Sequence, residues 1–201
     1  MKTLKLGITG CIGSGKSLIS KILQGKGIPV YDCDSNAKAL MESNSEIRNA
    51  LTALFGQACY PDGKHLDRKY LAGCIFGDSN SLQKVNNIVH PKVREDFANW
   101  CTSRQAPIVA MESAILFESG FDSDVDIIIT VKADRETCIE RACRRSSATR
   151  SEITKRLDKQ NATLLQEERS HFVIQNDNRM AVLPQIEKMI LRLRSIISTN
   201  G

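Results

Sequence analysis

Apolar residues at the start of the chain fall into two short runs separated by an amphipathic segment. The first run, Leu4–Thr9, is typical of a strand buried on both faces of a parallel sheet. From Ser17 to Gln24 the apolar positions follow helical spacing, and Gly25 and Gly27 come where glycine commonly ends a helix. Ile28–Tyr31 is a second strand-like run. The pattern predicts a strand–helix–strand unit with a right-handed crossover.

The stretch from Ser35 to Arg104 is mostly helical in pattern, with three apolar stripes. These are Leu51 with Leu54 and Phe55, Leu71 with Ile75 and Phe76, and Leu82 with Val85, Ile88 and Val89. His90 precedes Pro91, and a residue before proline disfavours the helical conformation, so we predict that a helix starts at Pro91. A helical insertion of this length, within a chain of otherwise alternating strands and helices, predicts a segment that covers another part of the protein or a ligand.

Strands and helices alternate through the rest of the chain. The predicted strands are Pro107–Met111, Val125–Val131 and Phe172–Ile174, and the predicted helices are Arg135–Arg145, Ser151–Gln160 and Ala181–Ile197. Because strands that alternate with helices usually form a parallel sheet, the pattern predicts an α/β fold with five strands.

Length and composition exclude several classes of protein. A chain of 201 residues favours one domain, and its 41% hydrophobic and 25% charged residues are ordinary for a globular protein. The longest apolar runs, such as Ile127–Ile129, are too short to span a membrane, and the first residues lack the long apolar stretch and small-residue cleavage site expected of a signal peptide. Seven cysteines without a Cys-x-x-Cys pair predict free thiols. We therefore expect a cytoplasmic protein without a membrane partner.

The formal net charge of +5 comes largely from one cluster of basic residues. Its members are Arg135, Arg141, Arg144, Arg145, Arg150, Lys155, Arg156 and Lys159. Such a cluster fits a small polyanion as well as nucleic acid. Only 5% of the residues are aromatic and none interleaves with the cluster, which argues against base stacking. We therefore expect no nucleic-acid partner; the sequence leaves the oligomeric state open.

A glycine-rich segment after the first strand matches Gly-x-x-x-x-Gly-Lys-Ser/Thr from Gly10 to Ser17. In such a phosphate loop backbone N–H groups point at phosphate oxygens, the lysine reaches the β- and γ-phosphates, and the hydroxyl binds Mg²⁺. Chance would produce this pattern in on the order of 1% of chains this long. The residues expected to bind ATP are Cys11, Ile12, Gly13, Ser14, Gly15, Lys16, Ser17 and Leu18, with Ser17 also the ligand of Mg²⁺.

Two carboxylates, Asp32 and Asp34, follow the second predicted strand. Ligands of open parallel sheets bind at that edge, so these groups could polarise an acceptor hydroxyl and order the waters of Mg²⁺. The alternative is a solvated turn followed by a helix N-cap, where Asp and Ser are both common.

Taken in order, the motifs resemble the dephospho-CoA kinase family, which phosphorylates the ribose 3′-hydroxyl of dephospho-CoA in the last step of coenzyme A biosynthesis. The resemblance runs nearly from end to end. It is carried by Gly7–Ser17, Asp32 with Asp34, His90–Pro91, Leu116–Glu118, Thr149 and Arg150 with Arg156 and Gln160, and Phe172–Ile174 with Asn176. It implies a P-loop kinase fold with a five-stranded parallel sheet flanked by helices, a helical substrate-binding insertion and a short lid.

The resemblance also implies roles for individual residues. Asp34 resembles the family's general base, with Asp32 as its partner. The acceptor-binding residues would be Asp32, Asp34, His90 and Glu118, and the catalytic residues would be Asp34, Lys16, Arg141 and Arg150. The cofactors would be ATP and Mg²⁺, and the small-molecule partner dephospho-CoA.

By the same resemblance, residues 1–201 form a single domain. Its core would comprise residues 1–34, 105–140 and 161–201, with the acceptor-binding insertion at about 35–104 and the lid at about 141–160. The chain departs from the family pattern at three positions: Cys11 stands where the family usually has Gly, Cys33 where it has Ala, and Ala114 where it has Pro.

Two other classes remain as alternatives. Another small-molecule P-loop kinase, such as a nucleoside monophosphate kinase, would share the phosphate loop, but the length of the helical insertion favours a larger acceptor. A regulatory GTPase or a nucleic-acid-dependent ATPase is disfavoured, because the guanine-reading pattern Asn-Lys-x-Asp and a second motor domain are both absent from the sequence.

Overall fold

The structure is a computed structural model that describes residues 3–146, 148–160 and 167–199. Part of the predicted lid, Ser147, and parts of the predicted core, residues 1–2, 161–166 and 200–201, lie outside the described residues, as does the side chain of Lys159. The chain divides into two compact units. One contains the residues up to Tyr31 and from Arg104 onward, and the other is Asp32–Ser103.

A five-stranded sheet forms the centre of the first unit. Its strands are β1 (Leu4–Thr9), β2 (Val30–Asp32), β3 (Ile108–Glu112), β4 (Ile127–Lys132) and β5 (Phe172–Gln175). They lie in the order β2-β3-β1-β4-β5, so the first strand of the chain is central. β1 pairs in parallel with β3 and β4, and β4 pairs in parallel with β5. The five predicted strands are therefore present, and the α/β fold with a parallel sheet is confirmed.

Helices connect these strands and build the second unit. Their bounds are α1 Lys16–Gly25, α2 Cys33–Ser43, α3 Ser45–Phe55, α4 Arg68–Ile75, α5 Ser79–Arg104, α6 Arg135–Arg145, α7 Arg150–Gln160 and α8 Val182–Thr199, with short 3₁₀ turns at Gln57–Cys59 and Phe121–Asp124. Among the described residues, no helix has the length and apolar character needed to cross a membrane.

The main core lies between the sheet and the helices that pack on it. Leu6 and Ile8 of β1 are fully buried with Ile19 of α1 and Ile186 of α8. Alternate residues of a strand point to opposite faces, so a strand covered by helices on both faces becomes apolar throughout. This packing fixes the ends of β1 and α1, between which the glycine-rich segment runs.

A second apolar cluster joins α6 to α7. Ile153 and Leu157 of α7 are buried against Cys138 and Ile139 of α6, and Cys11 of the glycine-rich segment packs against the same cluster. The arginines of the two helices are therefore carried on a packed helical hairpin whose apolar side reaches the glycine-rich segment.

Pro91 lies inside α5, so the predicted helix start at Pro91 is wrong. Proline removes one helical hydrogen bond and crowds the preceding turn, which normally ends or kinks a helix. Here the residues buried at every fourth position continue across it. They are Val85, Val89, Val93, Phe97 and Cys101. An apolar stripe that continues on both sides of the proline outweighs the local cost.

The predicted apolar stripes of the helical unit are only partly buried. Leu51, Leu71 and Val85 are buried, whereas Leu54 and Phe76 are 47% and 89% exposed. Phe76 follows the last residue of α4 and has extended backbone angles, so it lies off the helical face that its spacing predicted.

Candidate active site

The glycine-rich segment lies at the carboxyl end of β1, between that strand and α1. β1 is the central strand, with β3 on one side and β4 on the other. In open α/β sheets, ligands bind outside the carboxyl ends of the strands, at the point where the chain connections diverge to opposite sides. The segment therefore occupies the expected place for a phosphate-binding loop.

Two glycines allow this loop to approach its neighbours closely. Gly13 and Gly15 both have positive φ, at 79° and 99°. A Cβ atom on Gly13 would overlap the carbonyl oxygen of Cys138, and one on Gly15 would overlap the side-chain nitrogen of Asn176. Any other residue at these two positions would therefore push the loop away from α6 and from the end of β5.

The side chain of Lys16 folds back over the loop. Its Nζ donates hydrogen bonds to the carbonyl oxygens of Gly10 and Cys11, at 2.7 and 3.1 Å. Ser14 is buried, and its Oγ has no hydrogen-bond partner within the described part of the chain. Buried polar groups normally have partners. A loop with a lysine on its rim and an unpartnered hydroxyl within it fits a bound phosphate.

Glu112 connects the loop to β3 and was not predicted from the sequence as a site residue. Its carboxylate accepts hydrogen bonds from Ser17 Oγ at 3.0 Å and Ser20 Oγ at 2.6 Å. The predicted strand stopped at Met111, one residue short of this group. A charged residue at the carboxyl end of a buried strand was the available signal.

Asn176 and Arg141 approach the other side of the loop. Asn176 is buried, and its Nδ2 donates to the carbonyl oxygen of Ser14 at 2.7 Å. Arg141 donates from Nη1 to the Asn176 carbonyl oxygen and from Nη2 to Asn178 Oδ1, both at 2.7 Å. An ideal Cβ on Gly15 would be 3.9 Å from Arg141 Nη1. The structure thus brings one predicted catalytic arginine to the phosphate loop.

Gln160, the last residue of α7, also contacts the loop. The backbone N–H of Ile12 donates to Gln160 Oε1 at 2.8 Å. An N–H group at this position of a phosphate loop is one of those that would face a phosphate oxygen. The segment predicted as a lid is therefore in contact with the loop through Gln160, while Arg141 is bonded to Asn176, which itself contacts the loop.

Comparison with known proteins identifies the family to which a chain with these site residues belongs. The dephospho-CoA kinase family model matches residues 4–181. The chain belongs to the dephospho-CoA kinase family. Dephospho-CoA kinase from Bacteroides fragilis strain YCH46 is 41% identical over 188 residues, covering 93% of this chain and 91% of that protein. The Porphyromonas gingivalis enzyme is 39% identical over 194 residues, covering 96% and 95%.

Solved structures share the fold. The crystal structure of TT1252 from Thermus thermophilus has a TM-score of 0.82 and 30% identity, covering 97% of this chain and 98% of that one. Dephospho-CoA kinase from Campylobacter jejuni, at 20% identity and a TM-score of 0.68, and shikimate kinase from Bacteroides thetaiotaomicron, at 12% and 0.53, share the fold. The predicted family, P-loop kinase fold and kinase activity are confirmed.

Arg150, the other arginine that the family resemblance singled out, is not brought to the loop. Its Nη2 lies 2.6 Å from both carboxylate oxygens of Glu136, and both side chains are more than half exposed. Exposed ion pairs contribute little to stability, because water screens them and ordering two long side chains costs entropy. The pair can therefore open at little cost, and the role of Arg150 stays a prediction.

Cys11, one of the departures from the family pattern, fits the loop without strain. Among the described non-glycine residues only Gln105 and Asn178 have positive φ, so Cys11 has an ordinary backbone conformation. Its Sγ is 3.3 Å from Cys138 Sγ on α6. The hydrogen bond from Cys138 and the nearby Lys16 ammonium lower the pKa of Cys11 to about 7, against the effect of burial.

In the helical unit, the two predicted acidic residues have different settings. Asp32 is the N-cap of α2, and its carboxylate accepts from Ser35 N at 3.1 Å and Ser35 Oγ at 2.7 Å. The capping interpretation is thus correct for Asp32. Asp34 lies exposed in the first turn of the same helix. A negative charge there is stabilised by the helix dipole.

His90 is half-buried in α5. Burial, followed by the charge of Arg94, lowers the pKa of His90 below its ordinary value, so its imidazole is neutral near pH 7. A neutral imidazole can donate one hydrogen bond and accept another. Lys92, on the same helix, forms ion pairs with Glu46 at 2.7 Å and Glu95 at 3.3 Å.

Glu118 lies exposed in a turn after β3. The turn is closed by hydrogen bonds from Ser119 N to Ile115 O at 2.9 Å and from Gly120 N to Phe117 O at 3.0 Å. Leu116 is fully buried beneath it. The turn therefore forms with Ala114 in place of the family's proline, and Glu118 projects from a well-anchored loop.

Proposed function

We propose that this chain transfers the γ-phosphoryl group of ATP to the ribose 3′-hydroxyl of dephospho-CoA, giving CoA and ADP. Membership of the dephospho-CoA kinase family supports the acceptor. The observation that carries the chemistry is the phosphate loop, in which Lys16 rests on the loop carbonyls and Ser17 bonds to Glu112 at 3.0 Å. A hydroxyl and a carboxylate beside a lysine-bearing loop are the groups that a P-loop kinase uses for ATP and its metal.

Mg²⁺ fits the residues present. It favours oxygen ligands and is usually bound by one or two protein groups together with phosphates and water. Ser17 Oγ would be a direct ligand, and Glu112, which also accepts from Ser20, would orient that hydroxyl and ordered waters. When bound, Mg²⁺ neutralises charge that develops on the phosphate oxygens.

Lys16 and Arg141 would supply the remaining positive charge. Phosphoryl transfer depends mainly on positioning and on neutralising the three equatorial oxygens, since little other chemistry is required of the protein. Lys16 would exchange its bonds to the loop carbonyls for bonds to the β- and γ-phosphates. Arg141 is held beside the loop by its hydrogen bonds to Asn176 and Asn178, which supports this role.

Asp34 would act as the general base that accepts or orients the proton of the 3′-hydroxyl. An exposed carboxylate at a helix N-terminus is available for such a bond. Asp32 would contribute indirectly, because its cap on Ser35 fixes the first turn of α2 from which Asp34 projects.

The helical stretch at about 35–104 would bind the acceptor, with His90 as a hydrogen-bonding group, while Glu118 would contact it from the turn after β3. The segment at about 141–160 would close over ATP as a lid and bring Arg150 away from Glu136. Closure of such segments excludes water and limits ATP hydrolysis. We also propose a cytoplasmic location, where thiols stay reduced.

Product analysis tests this function. The protein is incubated with ATP, Mg²⁺ and dephospho-CoA, and the products are separated and identified by mass and by their use in a CoA-dependent enzyme assay. We expect CoA and ADP in equal amounts, and neither with Lys16→Ala. Phosphorylation at another hydroxyl, or ADP formation without a phosphorylated acceptor, would contradict the proposal.

A further inference from the structure

Two thiols meet between the phosphate loop and α6. Cys11 stands in the loop where the family usually has glycine, and its Sγ is 3.3 Å from Sγ of Cys138. Cys138 is fully buried, whereas Cys11 is half-buried at the rim of the same apolar cluster. Neither thiol has a role in the phosphoryl transfer described above.

We propose that Cys11 and Cys138 form a reversible intramolecular disulfide that fixes the phosphate loop to α6 and lowers its affinity for nucleotides. The pair is thus a modification site that makes the kinase sensitive to hydroperoxides. Its effect on turnover rests on the proposed function, whereas the formation of the bond does not.

The geometry requires only a small movement. A disulfide has an S–S distance of about 2.05 Å, so the two sulfurs, now 3.3 Å apart, must approach by roughly 1.3 Å. The backbone at Gly13 already lies against the backbone of Cys138, since even a Cβ atom there would overlap it. Loop and helix are therefore close enough for the bond to form without separating packed elements.

The surroundings of the two thiols make Cys11 more acidic than Cys138. The hydrogen bond with the Cys138 thiol and the nearby Lys16 ammonium, which favours a thiolate, lower the pKa of Cys11. The same hydrogen bond and burial raise the pKa of Cys138. Because the thiolate is the nucleophile, oxidation begins at the more accessible Cys11.

The reaction balances with a hydroperoxide as oxidant. The Cys11 thiol first releases its proton. The thiolate attacks one oxygen of hydrogen peroxide, the O–O bond breaks to give a sulfenic acid, and the leaving hydroxide takes up the released proton to give water. The Cys138 sulfur then attacks the Cys11 sulfur. The S–S bond forms as the S–O bond breaks, and the hydroxyl leaves as water with the Cys138 proton. Two thiols lose two electrons and two protons, and one peroxide becomes two waters.

The bond would disturb the groups that hold phosphate. Lys16 Nζ is anchored on the carbonyl oxygen of Cys11, and Ile12, the next residue, presents the N–H now bonded to Gln160. Drawing Cys11 toward α6 moves both groups. A displacement of about 1 Å in a binding geometry can cost on the order of 10²-fold in rate.

The first experiment asks whether the bond forms. The reduced protein is treated with hydrogen peroxide, remaining thiols are alkylated, and peptides are mapped by mass spectrometry. We expect a linked peptide pair containing Cys11 and Cys138, which dithiothreitol removes. Cys11→Ser and Cys138→Ser should both abolish it, and Cys11→Gly serves if Cys138→Ser does not fold. Cys143→Ser, which changes another half-buried cysteine of α6, should leave the link intact.

The second experiment asks what the bond does. ADP affinity is measured by titration before oxidation, after oxidation and after dithiothreitol, and each variant is compared with its own reduced form. We expect at least about a tenfold loss on oxidation in wild type and Cys143→Ser, recovered by dithiothreitol. We expect none in Cys11→Ser, Cys11→Gly and Cys138→Ser.

Absence of the linked peptides, or a linked protein with unchanged ADP affinity, would overturn the proposal. A reduced protein that binds ADP but never phosphorylates dephospho-CoA would contradict the proposed function, while the link and its effect on ADP binding would still support the disulfide.

Discussion

The turns that follow β1 and β2 are built in different ways. The phosphate loop after β1 is held by Glu112, Gln160 and Asn176, which lie 95, 148 and 162 positions from their partners in the chain. The turn after β2 is held by Asp32 through residues three and four positions away. The loop therefore exists only when its whole unit has folded, whereas the acidic turn is a local helix cap.

Because the two turns are built differently, substitutions in the phosphate loop and substitutions in the turn after β2 should affect different properties of the protein. In the proposed function the groups of the loop bind the nucleotide, and several of them also hold one another in place. Asp34 projects from a locally formed helix end, so its loss should affect the chemical step alone. Substitutions at Lys16, Arg141, Asp34 and Asp32 test this difference, and we expect their effects to decrease in that order.

Lys16→Ala should have the largest effect. We expect phosphoryl transfer to fall by at least about 10³-fold, the upper end for removing one electrostatic donor. The side chain is on the rim of the loop and is not part of the buried core, so the fold should be retained. Turnover and circular dichroism measured on the same preparation check this. Wild-type turnover by a folded Lys16→Ala protein would refute the assignment of the phosphate loop.

The two arginines should differ from each other. A transition-state arginine contributes about 10³–10⁵ in rate, so Arg141→Ala should lower kcat by roughly 10³-fold. Arg150 is paired with Glu136 in the structure, and we expect a smaller loss for Arg150→Ala. Steady-state kinetics and melting temperature of both variants provide the comparison. Equal losses would show that Arg150 leaves Glu136 during the reaction and shares the task.

Asp34→Asn should lower kcat by at least about 10²-fold, the lower end of general-base contributions. ATP affinity should change little, because the proposed function assigns nucleotide binding to the loop and not to α2. The measurement is turnover alongside ATP titration, with Asp32→Asn as the neighbouring control. A tenfold loss of ATP affinity at unchanged kcat would mean that Asp34 serves the nucleotide.

Asp32→Ala should have the smallest effect. Removing an N-cap costs about 0.5–2 kcal/mol of stability. We expect that loss in the free energy of unfolding, with ADP affinity unchanged, because the cap acts on its own helix. Denaturant unfolding and ADP titration on one preparation measure both quantities. A loss of ADP affinity as large as that of Lys16→Ala would remove the distinction between the two turns.

The difference between local and long-range contacts also explains which features the sequence could predict. The bounds of β1 and α6 are as predicted, because local periodicity defines both. β2 starts later than predicted, since Ile28 N bonds back to Leu23 O and so closes the turn that follows α1. The phosphate loop and the cap were recognisable as contiguous patterns.

What escaped prediction depends on contacts between distant residues. Nothing in the local pattern indicates that Glu112 accepts from Ser17, that Cys138 meets Cys11, or that Arg141 and not Arg150 reaches the loop. The helix through Pro91 escaped for the same reason, because tertiary burial of its stripe outweighs the local signal.

We expect this kinase to recognise the whole of dephospho-CoA and not merely the adenosine part of an acceptor. The most direct measurement is kcat/KM for dephospho-CoA, adenosine monophosphate and adenosine at saturating ATP and Mg²⁺, with ADP release followed in the absence of acceptor as well. We expect a preference for dephospho-CoA of at least about 10²-fold, since contacts with its remote groups position the 3′-hydroxyl, and slow hydrolysis without acceptor. Equal use of adenosine monophosphate would contradict the assigned acceptor.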